Sequence, residues 1–171
     1  MSDILKNRGY SMLELIVYVS IVAVMAVLSV QAMFSIMRAF DEIKSFSSVR
    51  ESGVITLERM IKEIRFSKSI DYTGTTFNTN PGRLKLNATD ENGYSKIMEF
   101  YVSNGSLNII DDGVEKGTIT GSSTSITNFV LRESTTNKGV LIKIEMTIRD
   151  NRATNPKSVN FYGSAVLREA Y

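Results

Sequence analysis

The sequence predicts an α+β protein in which one long N-terminal helix packs on a C-terminal antiparallel β-sheet. Three observations predict this class: no charged residue occurs from Leu15 to Met37, no proline occurs from Arg38 to Ile70, and apolar residues alternate with polar ones after Asp71. The predicted segments are a short basic N-terminal segment at 1–9, an apolar helix half at 10–37, an amphipathic helix half at 38–70 and a sheet domain at 71–171.

The apolar half is long enough to cross a bilayer. Its charge-free run from Leu15 to Met37 spans roughly 35 Å at the helical rise, against about 30 Å for the hydrocarbon core. Lys6 and Arg8 precede it, and basic residues favour the cytoplasmic side. We therefore expect a single-pass membrane protein with its N-terminus in the cytoplasm and the rest exported.

The amphipathic half repeats apolar residues at helical spacing, with charged residues between them. One nearly continuous helix is expected from about Ser11 to about Lys68, roughly 85 Å long. Glu58 and Lys62 stand at i,i+4 in the favourable order. Gly53 costs about 1 kcal/mol in a helix interior, which favours a close strand crossing over a hinge. The expected buried face comprises Phe46, Val49, Gly53 or Val54, Leu57, Met60 or Ile61, and Ile64.

The sheet domain shows period-two alternation, which predicts half-buried strands. Asn104-Gly105 is a hairpin signal because both residues tolerate positive φ. We expect one antiparallel sheet of five to seven strands, covered on its apolar face by the helix. The strand residues are Leu84 and Leu86; Met98, Phe100 and Val102; Leu107 and Ile109; Ile126–Arg132; Val140–Ile148 in alternation; and Val159–Leu167, with loops at Thr73–Gly82, Gly117–Thr127 and Glu133–Gly139 and a turn at Asn155-Pro156.

The junction before the apolar run has an unusual pattern. The basic leader Lys6-Asn7-Arg8 leads through one glycine into Gly9-Tyr10-Ser11-Met12-Leu13-Glu14, which resembles the processing site of type IV prepilins and pseudopilins. That resemblance implies a prepilin leader of Met1 to Gly9, cleavage between Gly9 and Tyr10, N-methylation of the new N-terminus at Tyr10, and an acidic fifth residue of the product, Glu14. Tyr10 stands where phenylalanine is most common in the family. Leu57–Arg65 also resembles the helix of minor subunits of the J-type pseudopilin and W-type minor pilin kind.

Glu14 also has a physical reason to be there. A carboxylate at the bilayer boundary is costly unless it is paired, neutralised or solvated. Cleavage would create a cationic amine at Tyr10, and the Glu14 of one subunit could meet the Tyr10 amine of its neighbour when helices pack side by side. The small residues Ser20, Ala23, Ala26 and Ser29 would permit close helix approach.

The resemblance implies a structural subunit, of the minor kind, of a type IV pilus or a type II secretion-like pseudopilus. It also implies partners: a prepilin peptidase and methylase, other pilin or pseudopilin subunits, an assembly ATPase and an inner-membrane platform protein. The alternative is an uncleaved, single-pass, membrane-anchored binding or sensing protein. A secretory signal cleaved after Ala23, Ala26 or Ser29 fits less well, because those residues lie inside the apolar run rather than after it.

Composition narrows the remaining function classes. The chain has no cysteine and no histidine, and we find no nucleophile or phosphate-loop motif, so we predict no enzyme and no cofactor. The net charge is +2, with basic residues scattered among acids, which argues against nucleic-acid binding. Asp111-Asp112-Gly113 followed by Glu115 predicts a turn rather than a calcium site, since the EF-hand spacing is missing.

Overall fold

The computed structural model describes residues 11–90, 92–136, 139–152 and 156–167. The predicted leader, Gly9, Tyr10 and Asn155 of the predicted Asn155-Pro156 turn lie outside these residues. The chain forms two compact units, an N-terminal unit that ends at Asp41 and a C-terminal unit, Glu42–Tyr171. The α+β prediction is confirmed: one long helix and two antiparallel sheets are present.

Helix α1 spans Met12–Phe66, within two residues of the expected ends. Sheet A contains five strands in chain order and sheet B contains three. The strands of sheet A are β1 (Ser69–Ile70), β2 (Arg83–Thr89), β3 (Ser95–Ser103), β4 (Ser106–Asp111) and β5 (Val114–Thr118); those of sheet B are β6 (Thr124–Thr136), β7 (Gly139–Asp150) and β8 (Ser158–Val166).

The predicted hairpin and the predicted acidic turn are both confirmed. Asn104 and Gly105 have φ values of 50° and 74° and connect β3 to β4. Asp112 and Gly113 have φ values of 51° and 80° and connect β4 to β5. Only small or amide- and carboxylate-bearing residues adopt this backbone region readily, so these dipeptides fix the two reversals.

The prediction of a single sheet is wrong. The edge of β6 that could have joined sheet A is filled by other backbone. Asn78 N donates to Leu131 O at 2.9 Å, Gly82 N to Phe129 O at 2.8 Å and Ile126 N to Gly105 O at 2.7 Å. Phe129 N donates to Asn80 Oδ1 at 3.0 Å. A loop and a hairpin turn therefore take the hydrogen bonds that a neighbouring strand would have formed.

The strand predictions fail at two further points. β5 was not predicted, because Val114-Glu115-Lys116-Gly117-Thr118 has no apolar alternation. Its last two residues fall in the predicted Gly117–Thr127 loop. The predicted loop at Glu133–Gly139 is instead mostly strand, because β6 continues to Thr136 and β7 begins at Gly139. Ser134 and Thr135 are both exposed, so this end of β6 meets solvent on both faces.

The core lies between the sheets and the second half of α1. The buried helix residues are Ser45, Val49, Ser52, Gly53, Thr56, Met60 and Ile64. Phe46 was predicted to be buried but is 47% exposed, because the buried face passes through the small residues Ser45, Ser52 and Thr56 instead. The ion pair on the exposed face joins Arg59 Nε to Glu63 Oε1 at 3.0 Å, one residue beyond the predicted Glu58–Lys62 pair.

Two glycines bring α1 close to β8. A Cβ at Gly53 would lie 2.2 Å from the Phe161 ring, and a Cβ at Gly163 would lie 2.7 Å from Leu57 Cδ1. Each glycine therefore makes room for a side chain of the opposite element. This confirms the interpretation of Gly53 as a close crossing of helix and strand.

A polar seam holds the same helix to the segment between the sheets. Ser52 Oγ accepts a hydrogen bond from Gly121 N at 3.0 Å and lies 3.0 Å from Thr124 Oγ1. Ser48 Oγ lies 3.1 Å from Ser123 Oγ. At the start of the unit Lys157 Nζ is 2.8 Å from Glu42 Oε1, and the hydrogen bond with Lys157 lowers the pKa of the Glu42 carboxyl. The Ser48 and Ser52 hydroxyls each have a partner in this seam, as polar groups inside a protein normally do.

Gly53→Ala tests the close crossing. Alanine improves helix propensity by about 1 kcal/mol, but its methyl group collides with the Phe161 ring, and we expect a net loss of about 1–3 kcal/mol in the free energy of unfolding. Urea unfolding of the full chain in detergent measures it. Phe161→Leu shortens the ring side chain and should recover part of the loss in the double variant. Equal losses in the presence and absence of Phe161 would contradict the contact.

Asp71 follows β1 and anchors the next turn. Its Oδ1 accepts a hydrogen bond from Thr73 N at 3.0 Å, and its Oδ2 lies 3.0 Å from Lys85 Nζ. The Thr73 hydroxyl, followed by Lys85, lowers the pKa of the Asp71 carboxyl from 3.8 to about 2. The ionised form is therefore favoured in the folded chain.

Asp71→Asn should reveal this linkage as a pH dependence. A carboxyl whose pKa is lower in the folded state stabilises the fold above its unfolded value near 3.8, and that contribution is lost as the pH falls towards 2. The variant should be less stable than wild type at pH 6, with the difference shrinking as the pH falls through this window. Asp112→Asn, in an exposed turn, is the control. A difference independent of pH would rule out the ionised carboxylate as the source.

Candidate membrane-spanning and assembly site

The first half of α1 presents apolar side chains on every side. Each large apolar side chain from Met12 to Met37 is at least 47% exposed, Val17 being the least exposed. A helix that is hydrophobic all round is normally buried in a protein core or in lipid. Among the described residues α1 is long and apolar enough to cross a membrane, so this surface is suited to lipid or to other helices.

Two hydroxyl groups within this run, those of Ser20 and Ser29, are satisfied by the helix itself. Ser20 Oγ donates to Ile16 O and Ser29 Oγ donates to Met25 O, both at 2.8 Å. A hydroxyl bonded to the carbonyl one turn earlier exposes no free donor to an apolar surround. The two serines therefore act as small residues at which another helix could approach.

Glu14 is the one charged residue among the described residues before Arg38. It lies in the first turn of α1 and is partly exposed. The first turn is the favourable end of the helix dipole for a carboxylate. Among the described residues Glu14 forms no ion pair, and its proposed partner Tyr10 lies outside them, so the Glu14–Tyr10 pair stays a prediction.

Tyr18 is a contact of Glu14 that the sequence reasoning missed. Its hydroxyl donates to Glu14 Oε1 at 3.4 Å, which is long for an O–H···O hydrogen bond. The i,i+4 spacing of an aromatic hydroxyl and a carboxylate on a predicted helix is the signal that could have found it. Because the bond is long, Glu14 keeps most of its capacity to accept a stronger, cationic donor.

Apolar exposure continues past the charge-free run. Phe40 is 67% exposed in the N-terminal unit, and Ile43 is 65% exposed at the start of the C-terminal unit. Charged residues alternate with them, from Arg38 to Lys44. Apolar and charged side chains are therefore both exposed in this stretch.

The acidic turn in sheet A shows no metal geometry. Within the described ranges no group of three or more acidic, histidine or cysteine residues lies close enough to hold an ion. Asp111 Oδ1 lies 3.5 Å from Lys96 Nζ. A cation already faces this carboxylate, and the remaining acids stay in a turn.

No family model, curated protein or solved structure matches this chain.

Val24→Arg tests membrane insertion. An arginine near the middle of a spanning helix costs about 2.5–3.5 kcal/mol on insertion scales, so the variant should shift from the pellet to the supernatant in alkaline carbonate extraction, whereas wild type stays in the pellet. Val114→Arg, at a position 58% exposed in β5, is the matched control and should behave as wild type. Identical extraction of all three proteins in the supernatant would exclude a spanning helix.

Proposed function

We propose that this chain is a structural subunit, of the minor kind, of a type IV pilus or a type II secretion-like pseudopilus. It is processed after Gly9, N-methylated at Tyr10 and assembled by side-by-side bundling of its N-terminal helices. The observation that supports this most directly is a fully uncovered apolar helix surface with a single carboxylate, Glu14, in its first turn.

The exposed apolar side chains of the first half of α1 need a cover both inside and outside the membrane. In the bilayer the apolar side chains of the first half are covered by lipid. If the subunit is drawn out of the membrane, the same side chains can avoid water only by packing on one another. Helices packed in one direction with unlike contacting faces give an open helical array. A filament with apolar helices inside and C-terminal units outside is the arrangement that satisfies both environments.

Glu14 distinguishes assembly from simple anchoring. A plain membrane anchor gains nothing from a carboxylate at the start of its apolar run, because the charge lowers insertion. In a bundle the acid can pair with the Tyr10 amine of the adjacent subunit. Leaving one member of a buried pair unmatched costs roughly 3–5 kcal/mol, so subunits that slip along the axis are penalised. The pair therefore sets the axial register.

The proposal includes a set of partners and a location. A prepilin peptidase and methylase would act on Gly9 and Tyr10, and an assembly ATPase and inner-membrane platform would move the subunit among other pilin or pseudopilin subunits. Lys6 and Arg8 favour a cytoplasmic N-terminus, which puts the C-terminal unit outside. The resemblance of Leu57–Arg65 to J-type and W-type minor subunits supports the minor kind.

The mass of the purified chain separates this proposal from an uncleaved membrane-anchored binding protein. A processed subunit begins at Tyr10 and carries one added methyl group on its terminal nitrogen, which N-terminal peptide mass spectrometry detects. An intact Met1, or an end inside the apolar run, would contradict the proposal and favour the anchored alternative.

Glu14→Ala tests the assembly role. The variant should remain in the membrane fraction because its apolar run is intact, while its amount in sheared filaments falls at least about tenfold, as expected from an unmatched charge. Glu51→Ala removes an exposed acid from the same helix and should assemble normally. Normal incorporation of Glu14→Ala would show that the pairing mechanism is wrong even if the N-terminus is processed.

A further inference from the structure

Strand β8 is an open edge of sheet B. It is the terminal strand in the order β6-β7-β8 and pairs with β7 through nine consecutive positions without a register shift. Among the described residues no further strand pairs with it. An edge strand presents unpaired backbone N–H and C=O groups that can template another strand.

The other sheet edges are protected. The edge of β6 is filled by the loop Asn78–Gly82 and by the turn at Gly105. β1 has only two residues. β5 has five residues, contains Glu115 and Lys116, and pairs with β4 across a register shift. Short length, charges and bulges are the usual devices against edge pairing.

β8 has none of these devices. Its sequence Ser-Val-Asn-Phe-Tyr-Gly-Ser-Ala-Val has nine residues, no charge and no proline. Its pairing with β7 has no bulge. The other edges are short, charged and bulged, or covered along Ile126–Leu131 of β6, so among the described strands β8 is the edge best suited to pair with an added strand.

A groove of about 810 Å³ is lined by residues of α1, β7 and the edge strand β8. The helix contributes Ile61, Lys62 and Phe66 to its lining, and sheet B contributes Leu141, Ser164 and Val166. Phe66 is 73% exposed and Val166 is 47% exposed. The groove therefore offers uncovered apolar side chains next to unpaired backbone, which is the combination used in strand addition.

The charge of the groove is complementary to an acidic occupant. Lys62 and Arg65 line it together with one acid, Glu58. Lys62 and Arg65 form no ion pair with a described residue. The groove therefore has a surplus of positive charge without partners.

We propose that β8 and this groove bind an extended segment of another protein, in which an acidic side chain lies among β-branched or other apolar residues. The segment adds to sheet B as a fourth strand beside β8. Its apolar side chains lie against Phe66 and Val166, and its acid meets Lys62 and Arg65. A second copy of this chain fits less well, because β8 contains no acid and a copy would bring its own Lys62 and Arg65 into the site. This inference does not depend on filament assembly.

Labelled peptides test the proposal on the full chain in detergent. The probe is a nine-residue peptide that alternates valine with threonine and glutamate; the comparison peptides carry lysine in place of glutamate, or a central proline. Fluorescence anisotropy should show binding of the acidic peptide, binding at least about tenfold weaker for the lysine peptide, and loss of binding for the proline peptide, which cannot complete a strand ladder. Equal binding of all three would overturn the proposal.

Charge variants locate the site. In the double variant Lys62→Glu/Arg65→Glu the preference should reverse, so that the lysine peptide binds more tightly, an outcome that unfolding cannot produce. Ser164→Glu should weaken the acidic peptide at least about tenfold, whereas Ser95→Glu, at an exposed strand position of sheet A, should not. An unchanged preference in the double variant would contradict the site.

Hydrogen exchange distinguishes strand addition from side-chain docking. The acidic peptide should slow amide exchange along Ser158–Val166 and leave β5 unaffected, since β5 is the charged, bulged edge. Sedimentation gives the remaining outcome. A dimer that Ser164→Glu dissociates, with no peptide bound, would show that a second copy occupies the groove and that the proposal is wrong.

Discussion

The close approach of α1 to β8 is the contact on which the arrangement of the C-terminal unit depends. At Gly53 the helix leaves space for the Phe161 ring, and at Gly163 the strand leaves space for Leu57 and Ile61. The two elements therefore interlock rather than touching through side-chain ends only. Because dispersion contacts lose strength over a gap of less than 1 Å, this geometry lets one helix cover an apolar sheet face.

The interlock also explains which polar residues α1 can bury. Close backbone approach favours small side chains on the buried face, and Ser45, Ser52 and Thr56 occupy it. Ser52 bonds Gly121 N and Thr124 Oγ1, so part of the helix position is fixed by directional hydrogen bonds. Sliding of the helix by one turn would separate these partners and bring larger side chains against Phe161. The register between helix and sheet is therefore specified twice.

Local patterns were enough to predict much of the fold. The charge-free run and the missing prolines predicted α1, the alternation from Val140 to Ile148 predicted β7, and Asn104-Gly105 predicted the hairpin, because each depends on residues close in sequence. The division into two sheets was not predictable in this way. It depends on the loop Asn78–Gly82 bonding β6 about fifty residues later along the chain, and no local pattern encodes that pairing. β5 was not predicted because its sequence shows no alternation of apolar and polar residues.

In the candidate assembly site, too, some features could be predicted from local sequence and others could not. Glu14 was identified because a charge inside an apolar run is unusual, and the exposure of the surrounding apolar side chains fits that expectation. The contact with Tyr18 needed a specific rotamer and was missed. The exposure of Phe46 was missed for another reason. Helical periodicity of apolar residues indicates that a buried stripe exists but does not fix its centre. The small residues Ser45 and Ser52 belong to this stripe, so its centre lies further from Phe46 than the apolar residues alone indicate.

The sealed edge of β6 has a consequence for valency. Sheet B has two sides along which backbone could be extended, and one of them is permanently capped by the chain's own loop. Once a strand has added along β8, a further strand can add only if the first one presents an open edge of its own. The loop and the turn at Gly105 therefore leave β8 as the edge of sheet B along which a long added strand has room to pair, and they oppose the stacking of many copies through both edges of this sheet.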